Sequence, residues 1–126
     1  MVLEKACISK ELYDGLISFE NRIDSIDQYE DGYLAVFIHG SSDGKIQYGE
    51  DLITFDELAK VKRKELNYPD NKFLTIRVYC CYGFFQSEYE DEYTEVYSAY
   101  SNKGILECKL SYNEHLEKYY CTFYSN

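Results

Sequence analysis

The amino-acid sequence predicts an α/β fold: a single domain, mixed sheet, with a central β-α-β unit and C-terminal antiparallel strands. Three observations carry this expectation. Tyr33 to Ile38 and Phe73 to Tyr79 are short apolar runs rich in Val, Ile, Phe and Tyr, as buried central strands are. Between them, Thr54 to about Leu66 has the apolar spacing of an amphipathic helix. From Tyr93 onward polar and apolar residues alternate between recurring turn signals, the pattern of antiparallel strands.

Taken in order, the elements are as follows. Ser9 can cap a helix whose apolar face is Leu12, Leu16, Phe19 and Ile23, although Gly15 weakens its middle and Leu16 to Ile26 also tolerates an extended reading. Asp24 to Gly32 is acidic, ends in Asp-Gly, and reads as a loop. Gly40 to Ile53 reads as a second loop, rich in glycine and able to approach a ligand closely. Gly44-Lys45-Ile46 lacks the hydroxyl a phosphate loop requires. An alternative for this stretch is a hairpin with Asp43-Gly44 at its corner, which would pair Leu34 to Ile38 antiparallel with Lys45 to Tyr48 and abolish the parallel unit.

Thr54 can cap the next helix while Glu57 reaches back to the cap, leaving Phe55, Leu58, Ala59 and Leu66 on one face. Lys60, Lys62, Arg63 and Lys64 then read as a solvated basic face that suits the helix dipole. Asn67 to Asp70, with the only proline, stops the helix. After the second central strand, Phe84-Phe85 leads into an acidic run of Glu88, Glu90, Asp91, Glu92 and Glu95, either a solvated loop or the start of a strand. Val96 to Tyr100, Ile105 to Tyr112 and Lys118 to Tyr124, separated by turns at Ser101 to Gly104 and Asn113 to Glu117, predict a three-strand meander.

Composition narrows the function classes. A chain of 126 residues with 45% apolar and 17% aromatic content can bury a proper core as one domain. Nothing approaches a membrane-spanning length, and the N-terminal residues carry charges where a signal peptide needs an apolar core, so a cytoplasmic location is expected. Cys7, Cys80, Cys81, Cys108 and Cys121 are then expected as reduced thiols. No Cys-x-x-Cys or His-x-x-x-His spacing supports a metal among His39, Cys80, Cys81, Cys108 and Cys121, and no cofactor motif is present. A net charge of −10 argues against direct nucleic-acid binding, since neutralising phosphates needs Lys and Arg.

The segments "LAVFIHGSSDG", "TFDELAKV" and "LTIRVYCCYG" resemble the caspase-like superfamily of cysteine peptidases, especially its small bacterial branches. The resemblance covers residues 33 to 85. It implies that His39 and a thiol sit side by side at adjacent strand ends, with His39 as general base and Cys81 or Cys80 as nucleophile. It also places the backbone N–H of Gly40 at the oxyanion. The chemistry asks for such a pair, because imidazole both lowers a thiol's pKa and protonates the leaving group. Cys81-Tyr82-Gly83 matches the Cys-x-Gly ending of animal caspases and Cys80 to Gly83 the Cys-x-x-Gly ending of other branches; Cys81 is preferred. Several such families prefer Arg or Lys before the cleaved bond, for which the acidic run could line a pocket. The family also has β-α units before the histidine strand for which fewer than forty residues are available here, so an inactive relative is compatible with the likeness.

Two further readings use the same residues. Neighbouring cysteines at a strand end suit plain packing, and His39 equally suits a turn. Small acidic proteins without a cofactor motif often cover a basic surface, as toxin immunity proteins and phage-encoded inhibitors such as anti-CRISPR proteins do. In that reading Asp43, Glu88, Glu90, Asp91 and Glu92 form the docking patch for a basic protein or peptide, and the 15 tyrosines supply contact area.

Overall fold

The computed structural model describes residues 2–83, 88–100 and 104–125. In chain order the elements are β1 (Val2–Ile8), α1 (Lys10–Ile17), a 3₁₀ turn (Phe19–Asn21), β2 (Ile26–Glu30), β3 (Tyr33–Phe37), β4 (Ile46–Tyr48) and β5 (Asp51–Ile53). There follow α2 (Phe55–Leu66), β6 (Leu74–Tyr79), β7 (Tyr89–Glu90), β8 (Thr94–Ser98), β9 (Leu106–Asn113) and β10 (Lys118–Ser125). The main sheet has five strands in the order β2-β3-β6-β8-β7, and a second has three in the order β1-β10-β9. None of the described helices is long and apolar enough to cross a membrane.

The central β-α-β unit forms as expected. β3 and β6 are parallel neighbours, from Tyr33 opposite Thr75 to Phe37 opposite Tyr79. Thr54 and Glu57 make the reciprocal capping box of α2, so two backbone N–H groups that the first turn leaves unpaired find partners. Phe55, Leu58 and Ala59 pack onto one face of the main sheet with Leu34, Val36, Ile38, Leu74, Ile76, Val78 and Val96. Burying each large aliphatic side chain of this set contributes about 1.5–3 kcal/mol before entropy is counted. The other face meets Leu12 of α1 and Cys121 and Phe123 of β10 through Phe37, so α2, the main sheet and the small sheet with α1 stack as three layers.

The hairpin alternative is realised only locally. Gln47 N–H reaches His39 O, Ser41 N–H reaches Lys45 O, and Gly40 bridges Ile46, around a Gly44 at φ +80°. β4 then turns away to pair with β5, which leaves β3 free for β6.

Several expectations are corrected. Asp24 to Gly32 is not a loop: β2 lies within it and pairs antiparallel with β3 through Asp31 and Gly32, both at positive φ, as a two-residue hairpin turn requires. Only Ile26 of β2 is turned inward, so no alternation announces the strand. The first helix stops at Ile17, with Phe19 in the 3₁₀ turn and Ile23 exposed, and the unexpected β1 precedes it. β8 is not the first strand of a meander; it runs parallel to β6, and only β9 and β10 form a hairpin, on which β1 pairs. The hairpin's turn is at Asn113 to Glu117, with His115 exposed. Phe84, Phe85 and the expected turn at Ser101 to Lys103 lie outside the described residues.

Cysteine pairing is corrected too. Cys108 and Cys121, on neighbouring strands of the small sheet, form a disulfide, leaving Cys7, Cys80 and Cys81 free. Of the expected basic face of α2, Lys60 and Lys64 are exposed, but Lys62 is buried and Arg63 half-buried. Lys62 is 2% exposed, donates to Ser25 Oγ at 2.6 Å, and pairs with Asp27 at 2.8 Å and Glu65 at 3.0 Å. Arg63 donates to Thr94 Oγ1 at 2.7 Å and to the carbonyls of Pro69, Lys72 and Tyr93, tying α2 to the start of β6 and β8.

Candidate functional site

Parallel pairing puts in-register residues on the same face of a sheet, and this decides which groups can meet at the ends of β3 and β6. The ladder ends by pairing Phe37 with Tyr79, closed by Ile38 N–H donating to Tyr79 O at 3.1 Å. Ile38 and Cys80 both enter the core under α2. The next residues, His39 and Cys81, turn to the opposite side: His39 stacks on Phe19 of the 3₁₀ turn, and Cys81 Sγ meets Leu106 of β9.

Gly40 shows how closely the two strand ends approach. A Cβ built there would lie 2.1 Å from Cys81 O, so only glycine fits. The hydrogen bonds of its neighbours, His39 O and Ser41 N–H, go to β4. Gly40 is thus in direct backbone contact with Cys81, the residue beside which the sequence expects an oxyanion donor.

Each reactive side chain is held by a backbone group of another element. His39 Nε2 lies 3.1 Å from Phe19 O, and the ring stacks on Phe19 with centroids 4.4 Å apart. A carbonyl only accepts, so Nε2 is the donor in this contact. Leu106 N–H donates to Cys81 Sγ at 3.4 Å, and Sγ faces Leu106 O at 3.8 Å. The hydrogen bonds of the two side chains thus run to Phe19 and Leu106 rather than to each other.

Cys80 is placed differently. Its side chain is 6% exposed within the α2-side core, and its thiol is pushed up to about 12, first by burial and then by the nearby Cys81 and Glu88, against an opposing hydrogen bond with Ser98. A thiol so disposed stays protonated at neutral pH. After Cys81 the chain turns sharply: Tyr82 is left-handed at φ +59° and donates its N–H to Gly104 O at 2.8 Å. Gly83 follows against β8, where a Cβ would meet Ser98 Oγ at 2.7 Å. A bulky residue at positive φ is strained, and here the strain sits beside Cys81.

His39 and Cys81 both line a cavity of about 790 Å³ between the 3₁₀ turn, the strand ends and β9. The acidic residues go elsewhere. Asp43 accepts from Ser41 Oγ inside its own turn, Glu88 accepts from Ser98 Oγ at 3.0 Å, and Asp91 accepts from Tyr89 and from Tyr93 N–H. The Asp43 and Asp91 carboxyls are held below the usual range, foremost by those Ser41 and Tyr89 hydroxyls. Glu90 and Glu92 are exposed. Asp91 and Glu92 line a separate cavity of about 330 Å³ with Lys60 and Arg63, so the described acidic run does not line the cavity at Cys81. Among the described residues no group of three or more His, Cys, Asp or Glu is placed to hold a metal.

Sequence reasoning missed Phe19, Leu106 and Tyr82. Phe19 reads as one more apolar helix residue, and a backbone donor such as Leu106 N–H has no sequence signature at all. The Cys-x-Gly spacing was the one available hint of a tight turn at Tyr82. Comparison of the chain with protein-family models, with curated proteins and with solved structures finds no match.

Proposed function

We propose that this chain is a caspase-like cysteine hydrolase of peptide bonds, with Cys81 as nucleophile and His39 as general base. The observation that supports it best is that His39 and Cys81, each two residues beyond the paired Phe37 and Tyr79, both turn toward the 3₁₀ turn and β9 and line one cavity, which Cys80 also borders. His39 takes the thiol proton and Cys81 Sγ attacks the carbonyl carbon, forming a C–S bond while the C–N bond breaks. The departing amine takes the proton from His39. Water then hydrolyses the thioester, releasing the acid and restoring the thiol. Gly40 N–H and the amide of Cys81 serve the developing oxyanion.

Iodoacetamide labelling at mildly acidic pH, without reductant and in a Cys7→Ser background, tests this reading. Cys81 should be alkylated selectively, at least about tenfold more slowly after His39→Ala and unchanged after Cys80→Ser. A rate indifferent to His39 would end the proposal.

A second reading, an acidic protein covering a basic surface of a toxin or a nucleic-acid-handling enzyme, draws on the charge of −10 and the exposed Glu90 and Glu92. Asp43 and Asp91 are exposed as well and keep their charge while accepting local hydrogen bonds, whereas Glu88 is half-buried against Ser98. Such a complex should weaken steeply as ionic strength rises. An affinity indifferent to salt would count against it.

A further inference from the structure

Resting on the dyad reading, we infer that the cavity beside Cys81 receives a large apolar or aromatic side chain, the one next to the scissile carbonyl, and not a basic one. Its floor is a ring stack: Phe37 lies on Tyr79 with centroids 4.5 Å apart, and Tyr79 on Phe123 at 5.0 Å. Leu16 of α1 forms a side. Ile17 and Ile105, 62% and 47% exposed, also line it and extend its apolar surface toward solvent.

Charge decides against the alternatives. The charged residues lining the cavity are Glu20, Glu107 and Lys109, and all three are exposed. A guanidinium entering the floor would lose water without meeting a buried counter-charge, and would approach the Arg77 guanidinium, which lies 5.0 Å from the Tyr79 ring centroid, whereas an apolar group gains from the same transfer. Because Cys81 is itself part of the wall, the side chain seated there is adjacent to the carbonyl that the sulfur attacks.

The test uses acetylated Phe, Leu, Arg and Asp acyloxymethyl ketones on the whole chain. Cys81 Sγ forms a bond to the methylene carbon as the carboxylate leaves. The Phe and Leu reagents should modify Cys81 at least about tenfold faster than the Arg and Asp reagents, and Ile105→Asp should reduce that preference. Faster labelling by the Arg reagent, or equal rates, would overturn the specificity while leaving the dyad standing. If no ketone modifies Cys81, the dyad reading fails, and NMR titration with N-acetyl-phenylalaninamide against N-acetyl-argininamide decides the cavity alone. Shifts confined to Phe37, Tyr79 and Phe123 with the first compound support an apolar site; equal or absent shifts overturn it.

Discussion

Gly40 and Gly83 bracket the candidate site, and both are glycine because backbone or a neighbouring strand already occupies the place of a side chain. Gly40→Ala should destabilise by about 1–3 kcal/mol, the usual cost of forcing atoms into packed space, and should also slow Cys81 alkylation, since the atom displaced is Cys81 O. Gly44→Ala is the control. It has open space around it but sits at φ +80°, so it should cost about 1 kcal/mol and leave Cys81 reactivity alone. Urea unfolding and labelling rates check both. His39, Gly40 and Cys81 were legible in the sequence because their spacing relative to two apolar runs is a local pattern. Lys62 was not. It reads as solvated because Asp27, its partner, lies in a stretch that reads as a loop.

Helix α2 was legible almost to the residue, since its cap, period and stop signal are all written within the segment that uses them. Thr54→Ala should cost about 1 kcal/mol by removing the capping box. It should also change the response to acid. The Asp56 carboxyl is held below 3.8 foremost by the Thr54 hydroxyl, and that of Glu57 below 4.5 foremost by the Thr54 backbone N–H and then its hydroxyl. Carboxyls with depressed pKa values add stability that is fully present above their unfolded values and is lost as pH falls through the folded ones. Melting temperatures measured from pH 7 to pH 3 should therefore drop below about pH 4.5, and less steeply in Thr54→Ala than in the parent. Equal slopes would show that the cap does not set the acid response. β2 and β1 were illegible for the opposite reason: their inward residues are few, and only the partner strand defines them.

At the scale of the whole molecule, the small sheet is not an appendage to the β-α-β unit but the second wall of the candidate site. β9 supplies Leu106, whose backbone holds Cys81 Sγ, and the Cys108–Cys121 disulfide ties β9 to β10. Alkylation of the unfolded, unreduced chain should mark Cys7, Cys80 and Cys81, and reduction should add the other pair. Modification of all five before reduction would refute the bridge. Loss of the bridge in Cys108→Ser should lower stability by about 3 kcal/mol, as expected for a short closed loop.

The chain by itself determined the α/β class, the position of α2 and the two strands whose ends carry His39 and Cys81, because apolar periodicity and capping act over a few residues. Tertiary structure alone decided that the small sheet closes the other face, that Cys108 meets Cys121, that Lys62 is buried, and that Cys81 rather than Cys80 shares the imidazole's face. Each of those depends on which strand lies beside which and in what register, and a single step of register exchanges the two faces of a sheet.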